Sequence, residues 1–296
     1  MKAVRVFRGI LSCGLTMALL GLQGSLSADE PFTLETAKTA AAQGDANALY
    51  FLGKHYAKGD GVPQDETTAA DYLKQAAEKG NAYAQNDLGA AYAKGRGVKQ
   101  DFQEAARWYR KAADQGDSLA QYSMGLSFAL GRGVPKDMAQ SLMWYRMAAE
   151  QDQPDAMLAL GEIYLKGREG ITVDYKEAFK WYEKAAGQGC VGALSPLGCL
   201  YEVGGGVKLN LGKALKCFHD GAEKGDPRCQ MNLGRMYKDG QGVKSDLVEA
   251  YKWFYLASNQ GDGVATHYLE EIEGSGRVSE KVLAETRRQA ATSKSP

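Results

Sequence analysis

Residues 82–117 read AYAQNDLGAAYAKGRGVKQDFQEAARWYRKAADQGD, and this stretch decides the fold. Ala84, Leu88 and Tyr92 fall at i, i+4 and i+8, one stripe of a helix. Gly95-Arg96-Gly97-Val98 breaks it, because glycine reaches the left-handed backbone that ends a helix. Asp101 follows as an N-cap, its carboxylate accepting an orphan backbone N–H. Ala105, Trp108, Tyr109, Ala112 and Ala113 carry the apolar face of a second helix. Gly116-Asp117 closes the unit.

The same hairpin returns on both sides. Leu52-Gly53 recurs as Leu88-Gly89, Met124-Gly125, Leu160-Gly161, Leu197-Gly198 and Leu233-Gly234, in steps of 36, 36, 36, 37 and 36 residues. Tyr72, Trp108, Trp144, Trp181, Cys217 and Trp253 form a second column, holding all 4 Trp of the chain. Both columns place the one extra residue between Leu160 and Asp174, in the loop Lys166-Gly167-Arg168-Glu169-Gly170. Asp65, Asp101, Asp137, Asp174, Asn210 and Asp246 are the caps of the second helices. Three residues on, Glu104, Gln140, Glu177 and Glu249 suggest the reciprocal half of a capping box.

A glycine inside a helix costs about 1 kcal/mol against alanine. Its return at 53, 89, 125, 161, 198 and 234 therefore predicts that two helices approach closely there. The Trp column is the expected filler of the space beside it. Ala76-Ala77, Ala112-Ala113, Ala148-Ala149 and Ala185-Ala186 make the same allowance between successive units. One hairpin cannot bury its own apolar face, but stacked neighbours can, so the expected fold is an all-α solenoid of helix-turn-helix repeats.

The boundaries expected from this reading are a capping helix at 33–45, repeats at 46–81, 82–117, 118–153, 154–190, 191–226 and 227–262, capping helices at 263–290 and a disordered tail at 291–296. Before them, Lys2, Arg5 and Arg8 precede an apolar run from Ile10 to Leu22, and Ala28 precedes Asp29-Glu30-Pro31. That layout is a secretory signal peptide over 1–28, cut after Ala28, with an uncleaved anchor as the rival. A periplasmic or secreted location is the corresponding expectation, with no membrane span after cleavage.

The string Leu-Gly-x-x-Tyr-x-x-Gly-x-Gly-Val-x-x-Asp-x-x-x-Ala-x-x-Trp-Tyr-x-x-Ala-Ala-x-x-Gly-Asp resembles the Sel-1-like repeat, a relative of the tetratricopeptide repeat with its period of 34. The resemblance covers about 33–290. It implies a right-handed superhelix that offers a concave surface to protein or peptide partners, as an adaptor or scaffold. A cysteine-rich secreted branch is associated with weak β-lactam binding and hydrolysis, which makes that activity the alternative. Its hallmark cysteine column here holds Ala77, Ala113, Ala149, Ala186 and Ala222. Unit five departs from the pattern at Cys217, at Asn210 and at Pro196, which predicts a kink in its first helix.

Lys plus Arg and Asp plus Glu both total 36, so bulk electrostatic binding of nucleic acid is excluded. Only 3 His are present, and the sequence calls for no cofactor and no metal. His267 and Glu270 are read as a solvated helical face and His55 as structural. Neither Ser-x-x-Lys nor Gly-x-Ser-x-Gly occurs, and the reading is of a protein that is not an enzyme. Cys190, Cys199, Cys217 and Cys229 allow three pairings. Cys199 with Cys217 fits a disulfide best, both lying about equally far from one hairpin's turn. Four small buried thiols are the alternative.

Within each first helix, the positions two before and two after the Leu face away from the partner helix. They are Tyr50 and Lys54, Asn86 and Ala90, Tyr122 and Leu126, Leu158 and Glu162, Ser195 and Cys199, Met231 and Arg235. In related superhelices that side lines the groove. The candidate partner groove is therefore Tyr50, Lys54, Asn86, Tyr122, Leu126, Leu158, Glu162, Met231 and Arg235, an apolar middle with polar flanks. The alternative is that part of the stripe packs against neighbouring first helices.

Overall fold

A computed structural model describes residues 32–292. The expected signal peptide with its cleavage site, and residues 293–296 of the expected tail, lie outside the described residues. The described residues form an all-α helical-repeat solenoid. A helix α1 (Leu34–Ala42) precedes six hairpins: α2 (Ala46–Lys58) with α3 (Glu66–Glu78), α4 (Ala82–Lys94) with α5 (Phe102–Asp114), α6 (Ser118–Leu130) with α7 (Met138–Glu150), α8 (Pro154–Lys166) with α9 (Tyr175–Gly187), α10 (Leu194–Val203) with α11 (Leu211–Glu223), and α12 (Pro227–Asp239) with α13 (Leu247–Ser258). Then come α14 (Gly263–Gly274) and α15 (Glu280–Thr292). The last helix thus reaches Thr292, two residues into the expected tail. The chain divides into two compact units within α8, between Leu160 and Gly161.

In the N-terminal unit the caps follow the sequence. Asp65, Asp101 and Asp137 each accept the backbone N–H of the residues two and three ahead at 2.8–3.1 Å. The capping-box partner differs from expectation: Glu104 pairs with Arg107 at 3.1 Å, one turn ahead, rather than reaching back to the cap. The full reciprocal box is made at Thr33 and Thr36, at the start of α1.

The Gly-x-Gly turn has two separate tasks. Gly59, Gly95 and Gly131 end their helices in left-handed backbone. The second glycine is also left-handed, φ +67° at Gly97 and +74° at Gly133, and lies against the previous hairpin. A Cβ there would collide with the carbonyl oxygen of Glu66 and of Phe102 respectively. That contact joins consecutive repeats through backbone alone.

The glycine inside each first helix does mark a close approach, but the Trp column is not what fills it. A Cβ on Gly89 would meet the Tyr109 ring at 2.7 Å, and one on Gly125 the Tyr145 ring at 2.5 Å. The filler is the residue after the Trp position. One residue turns a helix by about 100°, so Tyr109 faces its own hairpin while Trp108 faces the hairpin before. Trp108 accordingly packs with Leu73, Ala76, Ala77, Ala84 and Leu88, and Trp144 with Ala112, Ala113 and Ala120.

A buried polar link also crosses the first two joints between repeats. Gln85 donates to the Ala77 carbonyl at 3.0 Å and accepts from Gln115 at 2.7 Å. Gln121 donates to the Ala113 carbonyl at 3.4 Å and accepts from Gln151 at 2.8 Å. The last carbonyls of one hairpin's second helix are thereby satisfied by the next hairpin.

The C-terminal unit repeats these devices. Tyr182, Phe218 and Phe254 cover Gly161, Gly198 and Gly234. Gln230 links the Ala222 carbonyl (3.2 Å) to Gln260 (2.9 Å). Glu177 and Glu249, like Glu104, pair one turn ahead, with Lys180 at 3.5 Å and Lys252 at 3.4 Å. The extra residue is absorbed by a tight turn in which Arg168 and Ile171 exchange backbone hydrogen bonds of 2.9 and 2.8 Å. Glu169 and Gly170 at its tip both have positive φ, 40° and 90°.

Pro196 does not kink a long helix. A 3-10 turn (Val191–Ala193) precedes α10, and Pro196 falls in the first turn of α10, where a missing N–H leaves no bond unmade. Cys199 and Cys217 are free thiols rather than the expected disulfide. Cys199 lies two residues past the hairpin-facing Leu197 and so points away from α11. Its Sγ is 4.0 Å from the Asn232 amide on α12. Burial pushes the Cys217 thiol up to about 11, helped by Asp220. Cys229 sits in the small space left by Gly221, where a Cβ would strike its sulfur.

Candidate functional site

The positions expected to line the groove sort into two groups. Asn86 and Leu158 are each 6% exposed and belong to the packing between first helices. Tyr50, Lys54, Tyr122 and Leu126, also in the N-terminal unit, are half-buried and open to one face. The stripe is thus shared between packing and surface. Leu158 sits with the core rather than with a partner, because it stands one turn before Glu162 on a helix whose residues 156–161 are all buried.

In the N-terminal unit this face is aromatic and acidic. The Tyr50 and Tyr83 rings stack at 6.1 Å, and Tyr83 is 64% exposed. Tyr50 donates to Asp87 Oδ2 at 3.3 Å, and Lys54 pairs with the same oxygen at 2.8 Å. Burial and the neighbouring Asp87 carboxylate push the Tyr50 hydroxyl well above its ordinary range. The Tyr122 ring lies tilted against Tyr145 at 5.6 Å, and burial with Asp155 nearby raises its hydroxyl likewise. Beside the Lys54–Asp87 pair opens a cavity of about 250 Å³ with Ala69, Ala70, Leu73 and Ala91 on its apolar side.

Two further carboxylates stand out, and the sequence reading did not single them out for binding. Asp117 caps α6, its Oδ1 accepting the Ala120 N–H at 2.7 Å. Burial raises its pKa, and Asp87 adds to that. Asp155, on the first turn of α8, is raised by burial too, and its Oδ1 is buried without a hydrogen-bond partner. The described residues place no cation in ion-pair reach of either. Asn86 Oδ1 is also buried and unpartnered, while its amide reaches Asp87 Oδ1 at a weak 3.5 Å.

A signal that Asp155 is not a packing residue was available. The column Asn47, Tyr83, Leu119, Asp155, Gly192 and Arg228 changes residue type in every unit, unlike the packing columns. A position that does not repeat within a repeat protein is not fixed by the shared core.

The C-terminal unit's corresponding face is self-compensated. Arg235 pairs with Glu202 at 2.6 Å and also donates to Gln241 at 2.8 Å. Glu162 holds Lys166 at 2.8 Å, and Arg228 holds Asp226 at 3.1 Å. Met231 packs against the cluster around Tyr251 and Phe254. Among the described residues no group of three or more His, Cys, Asp and Glu is placed to hold a metal, and no helix is long and apolar enough to cross a membrane.

The Sel1 repeat family matches residues 46–81, 82–117, 118–153, 154–190, 193–226 and 227–262. The chain belongs to the Sel1 repeat family. Among solved Sel1-type structures, an SLR-fold protective antigen of uropathogenic Escherichia coli is 36% identical, with a TM-score of 0.78 over 88% of this chain. This chain spans 56% of that protein's length. A Sel1 repeat protein from Oxalobacter formigenes is 32% identical, with a TM-score of 0.71, covering 84% of this chain and 98% of its own. No curated protein matches the chain. As a Sel1 repeat protein, it carries the Tyr50, Tyr83 and Tyr122 side chains on the first helices of its N-terminal unit.

Proposed function

We propose that this Sel1 repeat protein is an exported scaffold that binds a protein or peptide on the first-helix face of its N-terminal unit. The observation that carries this reading is the set of side chains left open there. Tyr83 and Leu119 are exposed, and Tyr122 and Leu126 are half-buried beside polar groups. Aromatic anchors with a polar rim are what a binding surface requires. A face built on rigid paired helices also loses little freedom on binding.

A photoreactive phenylalanine analogue in place of Tyr83 or Leu119 should give a discrete covalent adduct with partner in envelope extracts. The same analogue at Val264, exposed on α14, should not. Equal labelling from all three positions would remove the assignment of this face. Export is supported by the order of basic, apolar and small residues over 1–28. Intact-mass measurement of the exported product should show a chain beginning at Asp29; retention of Met1 would instead mean an anchored protein.

A further inference from the structure

The first repeat departs from the other five at two positions that meet in one cavity. Leu73 stands where Tyr109, Tyr145, Tyr182, Phe218 and Phe254 carry rings. Glu66 stands where Phe102, Met138, Tyr175, Leu211 and Leu247 are apolar. Leu73 still covers Gly53, 3.0 Å from where a Cβ would lie, but it is smaller than a ring and leaves room beside it. Both residues line the cavity of about 250 Å³ next to the Lys54–Asp87 pair. The following joint shows the filled version, in which Arg132 covers the Phe102 ring at 5.4 Å. One repeat earlier, the same register sets Arg96 against Glu66. Lys54 and Asp87 hold each other at 2.8 Å. Glu66, Lys94 and Arg96 also line the cavity, are exposed, and form no ion pair among the described residues.

We propose that this cavity binds a small zwitterion with an apolar side chain, of the class of an aliphatic α-amino acid. Its carboxylate meets Lys94 and Arg96, its ammonium meets Glu66, and its side chain lies on the floor of Ala69, Ala70, Leu73 and Ala91. The charges dictate the class. A carboxylate only accepts and suits the two cations, while an ammonium only donates and suits the one carboxylate still free. A ligand of a single sign would set a like charge against Glu66 or against the two cations, which selects against it. The size agrees, since the cavity falls just under the range of about 300–1,000 Å³ usual for ligand clefts, which calls for a molecule of amino-acid size. Tyr83 and Leu119, the exposed side chains of the scaffold reading, do not line it, so the two assignments stand or fall separately.

The test titrates the full chain with L-leucine, with leucine amide, which lacks the carboxylate, and with N-acetyl-leucine, which lacks the ammonium, read by ligand-observed NMR. Leucine should saturate the protein at or below about 10 mM and bind about tenfold tighter than either blocked analogue. Glu66→Gln should weaken leucine and leucine amide about tenfold and spare N-acetyl-leucine. Lys94→Gln with Arg96→Gln should weaken leucine and N-acetyl-leucine by about as much and spare the amide. Lys99→Gln, exposed on the same turn but outside the cavity, should change affinity less than about twofold. Leu73→Phe installs the ring that Phe218 and Phe254 carry in this column and should abolish leucine binding with the thermal melt retained.

Three results would overturn the inference: no saturation by leucine, equal affinity for leucine and either blocked analogue, or undiminished leucine binding by folded Leu73→Phe. Should Leu73→Phe lose its cooperative melt, Ala70→Leu fills the same space with the residue found at Leu142 and Leu215, and it must abolish binding in its place. The photocrosslinking at positions 83 and 119 judges the scaffold reading separately.

Discussion

Gly133→Ala is expected to destabilise the protein by about 2–5 kcal/mol, adding a left-handed backbone cost of roughly 1–2 to an overpacking cost of roughly 1–3. Gly133 has φ +74°, and an added Cβ would fall on the Phe102 carbonyl oxygen at the start of α5. Neither a backbone oxygen nor a helix start can swing aside as a long side chain would. Gly116→Ala is the matched control. Its φ is +92°, yet nothing lies within 4 Å of the new methyl. It should show the backbone cost alone, about 1–2 kcal/mol. Urea denaturation followed by circular dichroism measures both. Equal losses at the two sites would mean that Gly133 makes no joint between hairpins.

Tyr251→Ala is expected to cost about 3–5 kcal/mol, as for other large buried aromatics. Tyr251 is 0% exposed and packs in the cluster with Ala265, Leu269, Ile272 and Leu283, so it ties α13 to α14 and α15. Its hydroxyl also donates to Glu273 Oε1 at 2.5 Å. The loss should appear first as faster amide exchange across α14 and α15, since a repeat array opens from its ends. Tyr251→Phe keeps the ring and loses only the hydrogen bond, and should cost about 0.5–1.5 kcal/mol. A Phe variant as damaged as the Ala variant would show that the Glu273 bond, not ring burial, holds the terminal helices.

The architecture was legible because its determinants repeat. The 36-residue columns, the Asp or Asn caps and the helix-ending glycines each state a local rule six times over, and local rules need no knowledge of the distant chain. What escaped the reading depended on rotation about a helix axis. Trp108 is the larger and more conspicuous ring, yet Tyr109 is the one aimed at Gly89. Cys199 and Cys217 share a hairpin, yet Cys199 points toward α12. Leu158 and Tyr122 occupy one column, but the first is core and the second only half-buried. Asp117 and Asp155 look like ordinary capping or first-turn acids. Their difference lies in burial without a cation, a property of the assembled neighbours and not of their own spacing.

The glycine joint reads a carbonyl, and every residue but none in particular supplies one. A hairpin therefore recognises its predecessor without caring which side chain stands at the meeting point. The outward columns are released from any duty to the spine. Such a protein can exchange its exterior vocabulary one letter at a time, or gain a whole new word by duplication, while its grammar stays intact.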